Sequence, residues 1–271
     1  MVMSADPDTP SDGLMMAGTP AAAIVIPAYN EARTIGDVAQ RALAQLPLVI
    51  VVDDGSTDGT AASLVGLPVV LLRNEANLGK AGSLRRGATE AMRRGAQLII
   101  TLDGDGQHAP EDIPLLLEAH RSAPGHIIVG ARLHQRDRIP RSRYRANRVA
   151  NFWISLAAGY PIVDSQSGFR LYPARIFSQA RVRYERAHSF VFESEVLIEA
   201  ARFGVQAVCI PVTVVYSARA RASHFRPVLD IARIVRMVAW RLITQRLPSF
   251  LRRAPLPRRQ NQPQINADKR R

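Results

Sequence analysis

Residues 97–108 read QLIITLDGDGQH. A short apolar run without polar alternation is a strand buried on both faces. It ends on Asp103-Gly104-Asp105, and carboxylates at the end of a buried strand need a partner. The same pattern occurs twice upstream. Residues 48–53, LVIVVD, run into Asp54-Gly55-Ser56-Thr57-Asp58-Gly59, and residues 21–27, AAAIVIP, run into Ala28-Tyr29-Asn30-Glu31.

Between these strands the apolar spacing becomes helical. Residues 31–46 place Ile35, Val38, Ala42 and Leu46 on one side. A short helix follows Gly59, a third strand covers 69–73, and helices cover 79–94 and 110–121. A fifth strand covers 126–130. Strands alternating with helices predict an α/β fold with a mostly parallel central sheet and helices on both faces. The polar residues gather after the C-terminal ends of the strands, the edge at which open α/β sheets bind ligands.

The second half is less regular. Residues 132–148 are crowded with arginines and begin as a loop, which gives way to a helix over 142–158. Residues 164–170 read as a polar loop, 192–203 as a helix and 205–216 as a strand. A helix over 228–242 places Val228, Ile231, Ile234, Val235, Val238 and Leu242 on one face. Arg233, Arg236 and Arg241 lie off that face, with Trp240 nearby. Such a helix either packs on the domain or lies on a membrane with its apolar side toward lipid and its arginines at anionic headgroups.

The chain has 271 residues, 47% of them apolar, and a net charge of +13. It is long enough for one sizeable core, and its charge favours anionic partners. One cysteine, Cys209, excludes an internal disulfide framework and disfavours structural zinc. It sits in an apolar run and reads as a core strand residue. No stretch of about 18 apolar residues runs without a charge, so no transmembrane helix is expected. The expected organisation is a disordered lead-in over 1–20, a globular domain over 21–220, an amphipathic helical region over 221–251 and a basic disordered tail over 252–271. The expected location is cytoplasmic, at most peripheral on the inner face of the cell membrane. No reader motif or interleaved aromatics accompany the basic segments, so the charge alone does not make a nucleic-acid-binding protein.

Two carboxylates flanking a glycine at a strand end suit Mg²⁺ or Mn²⁺, with substrate phosphates completing the shell. Gln107 and His108 are close enough in sequence to complete or orient such a site. Asp53 and Asp54 can accept hydrogen bonds from a base or ribose, while Thr57 or Asp58 reads as a helix cap. Lys80 stands where a helix begins, within reach of an anionic group.

The segments IVIPAYNE, VIVVDDGSTDGT, NLGKAGSLRRG and LIITLDGDGQHAPED resemble, in order and separation, the family 2 glycosyltransferases, whose nucleotide-sugar fold is called GT-A. Gly130-Ala131-Arg132, residues 164–170 (DSQSGFR) and residues 223–227 (SHFRP) resemble the polyprenyl-phosphate branch, which includes dolichol-phosphate mannose synthase. The resemblance covers residues 23–236. It implies that Pro27, Tyr29, Glu31, Val52 and Asp54 contact the nucleoside. It places Asp103, Gly104 and Asp105 at the metal and diphosphate, with Gln107 assisting and Lys80 on the nucleotide-sugar. Arg132, Arg143, Gly168, Arg170 and His224 would form the acceptor-phosphate side, and Asp105, Arg132 and Arg170 would be catalytic.

The implied reaction is an inverting, metal-assisted in-line displacement. It moves a sugar from GDP-mannose, UDP-glucose or UDP-N-acetylglucosamine to a polyprenyl or dolichyl phosphate. A hydroxyl acceptor is the alternative. It would require a carboxylate base, for which Glu193 and Glu195 are candidates, although a structural salt bridge is the plainer role for one of them.

Overall fold

The computed structural model describes residues 21–131, 141–182, 191–213 and 227–244. Seven strands form one sheet: β1 (Ala22–Ala28), β2 (Val49–Asp53), β3 (Val70–Arg73), β4 (Leu98–Thr101), β5 (Ile127–Ala131), β6 (Arg170–Pro173) and β7 (Ala207–Pro211). Their order across the sheet is β3-β2-β1-β4-β6-β5-β7. All neighbours are parallel except at β6, which runs antiparallel to both β4 and β5. The helices are α1 (Ile35–Leu43), α2 (Gly79–Arg93), α3 (Ile113–Ser122), α4 (Arg141–Ala158), α5 (Arg175–Gln179), α6 (Phe192–Arg202) and α7 (Pro227–Thr244).

Successive strand residues point to opposite faces, and both faces here are covered. Val25, Val52, Ile99 and Val129 meet α2, α4, α6 and α7 through Leu84, Ile154, Leu197 and Ile234. Ile26, Val51, Ile100 and Ile128 meet α1 and α3 through Ile35, Val38, Ile113 and Leu116. This explains the lack of polar alternation in the strands. Each buried Val or Ile side chain contributes roughly 1.5–3 kcal/mol of transfer free energy. At Gly87 a β-carbon would collide with Val25, so α2 lies directly on β1 and β2.

Two expectations change. The short helix expected after Gly59 is a single 3₁₀ turn, Ala62–Leu64. The loop expected to continue through Arg170 instead ends there, because Arg170–Pro173 is β6. Four residues that include an arginine and a proline carry no strand periodicity. Pairing with both β4 and β5 makes the strand.

α7 packs along α4, with Ile234 and Val238 fully buried in the core. The part of its apolar face that carries Ile234 and Val238 is therefore turned to the protein and not to lipid. Arg233 and Arg236 remain exposed, as does Trp240 at 57%. Cys209 is half-buried in β7, and burial pushes its thiol pKa up. No helix among the described residues is long and apolar enough to cross a membrane. The lead-in and the basic tail lie outside the described residues.

Candidate active site

The loops after β1 and β2 are stitched together. Asn30 has φ +57°, a conformation asparagine tolerates better than most residues. Its N–H donates to Ser56 Oγ at 3.0 Å, and its Oδ1 accepts from Thr57 N at 2.9 Å. The Glu31 N–H donates to Thr60 Oγ1 at 2.8 Å, and the Ala32 N–H to Asp58 Oδ2 at 3.2 Å. Tyr29, at the crest of this pair of loops, is 38% exposed.

Asp53 and Asp54 divide their work. Asp53 accepts from Ser56 N at 2.9 Å and lies 3.4 Å from Arg73 Nε, its register partner on β3. Asp54 is buried. Its Oδ1 accepts from Asn74 Nδ2 at 2.7 Å and from Leu78 N at 2.8 Å, and its Oδ2 accepts from Gly79 N at 2.8 Å. It thus caps the positive end of α2, where free N–H groups and the helix dipole favour an anion. Gly55 permits the arrangement: it has φ +72°, and a β-carbon would come 3.0 Å from the Ala76 backbone.

That cap orients Lys80, the second residue of α2. Its Nζ lies 2.6 Å from Asp103 Oδ1 and 2.7 Å from Glu193 Oε1. Burial disfavours the ammonium, but the two carboxylates outweigh it and hold the Lys80 pKa above the ordinary lysine value. Asp103 Oδ2 is 3.8 Å from His108 Nε2, and the buried His108 ring packs on Phe169 with centroids 5.4 Å apart. Gly104 is buried, and its carbonyl accepts from Thr34 Oγ1 at 2.7 Å, which ties the Asp-Gly-Asp turn to α1. Asp105 Oδ1 accepts from Gln107 N at 2.9 Å.

The loop at 163–169 closes against this edge. Thr101 Oγ1 donates to the Gly168 carbonyl at 2.7 Å. Ser165 donates to Asn151 Oδ1 on α4 through both N and Oγ, at 3.0 and 2.6 Å. Gln166 Nε2 donates to Ser194 Oγ on α6 at 2.9 Å.

Arg170, expected at the acceptor phosphate and in catalysis, is fully buried. Its Nε donates to Ser167 O at 2.7 Å, Nη1 to Glu193 O at 2.7 Å and Nη2 to Ser165 O at 2.8 Å. A guanidinium presents its donors in a rigid fork, and this fork is spent on the carbonyls of the loop and of α6. Arg170 holds the loop's shape, with its donors turned inward.

The structure brings Pro27, Tyr29, Glu31, Asp103, Gly104, Asp105, Gln107, Lys80 and Gly168 to the C-terminal edge of the sheet. Val52 is fully buried, with its side chain in the core. Its backbone lies in the sheet between register partners Pro27 on β1 and Leu72 on β3. Arg132 and His224 lie outside the described residues, as does the side chain of Arg143 on α4. Two partners were not legible beforehand. Asn74 follows β3 and bonds Asp54, Ser83 and Arg86; a polar residue just past a strand was its signal. Asn151 anchors the loop from mid-helix, with no signal in the sequence.

Among the described residues, no group of three or more His, Cys, Asp or Glu is arranged to hold a metal ion. Carboxylates offered in ones and twos fit Mg²⁺ or Mn²⁺, which are bound through one or two carboxylates plus substrate phosphates and water.

Residues 23–181, more than half of the chain, match the family model for glycosyl transferase family 2. The chain is 29% identical over 217 residues to a UDP-N-acetylglucosamine–dolichyl-phosphate N-acetylglucosaminyltransferase of Methanococcus voltae, covering 72% of this chain and 85% of the relative. It is 27% identical over 201 residues to an undecaprenyl-phosphate mannosyltransferase of Micrococcus luteus, covering 70% and 82%. Among solved structures it is similar to glucosyl-3-phosphoglycerate synthase from Mycobacterium tuberculosis, crystallised with Mn²⁺, UDP and glucosyl-3-phosphoglycerate. The TM-score is 0.57 at 17% identity, covering 83% of this chain and 79% of that one, a likeness of fold. The family match spans the strand ends and loops that build this edge, so the chain belongs to glycosyl transferase family 2 and is a glycosyltransferase.

Proposed function

We propose that the protein transfers a sugar from a nucleotide-sugar to the phosphate of a polyprenyl phosphate, by one in-line displacement that inverts the anomeric centre. The observation that carries this is the pairing of Glu193 with Lys80 at 2.7 Å beside Asp103. A hydroxyl acceptor needs a carboxylate base, and Glu193 is held by an ammonium while Glu195 is buried. A lipid phosphate has a second pKa of about 6 and is largely ionised at neutral pH, so it needs cations to position it and no strong base. The names of the dolichyl-phosphate and undecaprenyl-phosphate relatives support the same acceptor class.

In this reading Tyr29 and Glu31 meet the nucleoside at the paired loops, with Pro27 and Val52 behind them at the ends of β1 and β2. Asp54 acts from beneath, by fixing the start of α2. Asp103 and Asp105 hold Mg²⁺ or Mn²⁺ on the donor diphosphate, with Gln107 shaping the turn. The cation, when bound, stabilises negative charge on the leaving nucleoside diphosphate. Gly168 keeps the acceptor-side loop against Asp103. Arg132, Arg143 and His224 supply positive charge for the acceptor phosphate. Arg233, Arg236 and Trp240 on α7 face an anionic membrane surface, where a lipid acceptor resides.

The test is transfer from GDP-mannose, UDP-glucose and UDP-N-acetylglucosamine to polyprenyl phosphate or to hydroxyl acceptors. Product on the phosphate, lost in a folded Asp105→Ala variant, supports the proposal. Product on hydroxyl acceptors alone, or full turnover in Asp105→Ala, sinks it.

A further inference from the structure

The two carboxylates that share Lys80 stand in different places. Asp103 follows β4 at the open edge of the sheet, with 27% of its side chain exposed. Glu193 is the second residue of α6, with 11% of its side chain exposed. One ammonium serves both, at 2.6 and 2.7 Å. Its stem is fixed from below, since α2 begins at Gly79, whose N–H is held by Asp54. Glu193 is fixed as well, its carbonyl accepting from Arg170 Nη1 at 2.7 Å.

We infer that Lys80 is a built-in counter-cation that competes with a divalent metal ion for Asp103, and that Glu193, by sharing the ammonium, sets how firmly Lys80 is held there. This rests on the reading of Asp103 and Asp105 as the cation-binding pair. A cation arriving at Asp103 meets a like charge already within hydrogen-bonding distance of the same carboxylate. Like charges at such separations repel strongly in a partly desolvated site. Glu193 gives the ammonium a second anion to rest on, so Asp103 can turn to a metal without leaving the partly buried lysine, 29% exposed, unpaired. When no metal is bound, the same ammonium keeps Asp103 compensated and oriented.

A purely structural role would join α2 to α6, and removing either partner would then disturb the site in the same sense. Competition predicts opposite signs. The test is titration of Mn²⁺ alone into the full chain, with free Mn²⁺ followed by electron paramagnetic resonance and thermal melts as the check on folding. Lys80→Met should bind Mn²⁺ on the order of tenfold tighter, since the competitor is gone. Glu193→Gln should bind it about tenfold more weakly, because the ammonium then rests on Asp103 alone. If Lys80→Met does not fold, Glu193→Gln, which leaves a one-to-one ion pair, carries the test. Unchanged affinity in Glu193→Gln, or shifts of the same sign in both variants, overturns the inference. Failure of the unaltered protein to bind Mn²⁺ would instead strike the cation reading of Asp103 and Asp105 on which it rests.

Discussion

Gly168 lies so close to Asp103 that a β-carbon on it would come 2.6 Å from Asp103 Oδ2 and 2.6 Å from Lys80 Nζ. The loop at 163–169 and the Asp103 carboxylate are therefore in backbone-to-side-chain contact. Gly168 does not occupy the left-handed region, so its need for glycine is one of space.

Gly168→Ala should consequently push Asp103 and Lys80 aside while leaving the sheet intact. A displacement of about 1 Å in a catalytic constellation can cost roughly a hundredfold in rate. Transfer should fall by about that factor with an unchanged thermal melt. Full activity in the alanine variant would refute the contact.

Arg170→Lys should be a stability defect first. The lysine keeps the charge but cannot reach Ser165 O, Ser167 O and Glu193 O together. Losing charge-assisted bonds and stranding buried carbonyls should cost about 3 kcal/mol. The midpoint of urea unfolding at constant m-value measures it. A stable variant with weakened acceptor affinity would instead return Arg170 to the acceptor phosphate.

His120 should make stability fall in acid. It is buried on α3, and burial lowers its pKa from 6.5, reinforced by nearby His126, whose backbone hydrogen bond opposes the shift. Between the depressed folded value and 6.5 the unfolded chain binds more protons, so stability is complete above 6.5 and declines as pH falls below it. His120→Gln should flatten that decline in urea unfolding followed from neutral to acid pH. An unchanged slope would assign the effect to other groups.

The exposed side of α7 should contribute to binding anionic vesicles. Arg233 and Arg236 are each worth about 1 kcal/mol near an anionic surface. The double variant Arg233→Glu, Arg236→Glu should weaken co-sedimentation with anionic vesicles by at least roughly tenfold, with little change toward neutral ones. Since Ile234 and Val238, which hold α7 in the core, are untouched, the fold should tolerate the change. Equal binding by the variant would leave α7 as a packing helix only.

The sequence alone determined the sheet's parallel half and the edge at which its carboxylates gather. Runs such as VIVVD and LIIT are apolar on both faces, and that pattern forces a sheet covered on both sides, with Asp53, Asp54, Asp103 and Asp105 stranded at its rim. Local pattern could not report what depends on contacts between distant segments. β6 has no periodicity of its own and becomes a strand through β4 and β5. Arg170 looks like a phosphate ligand in a glycine-containing loop, but its fork closes on three carbonyls supplied by that loop and α6. Lys80, Asp103 and Glu193 are far apart in the chain and meet because α2, β4 and α6 converge on one face. The apolar stripe of α7 was equally consistent with lipid and with protein, since burial of either kind uses the same residues. The presence of α4 beside it decided the matter for Ile234 and Val238.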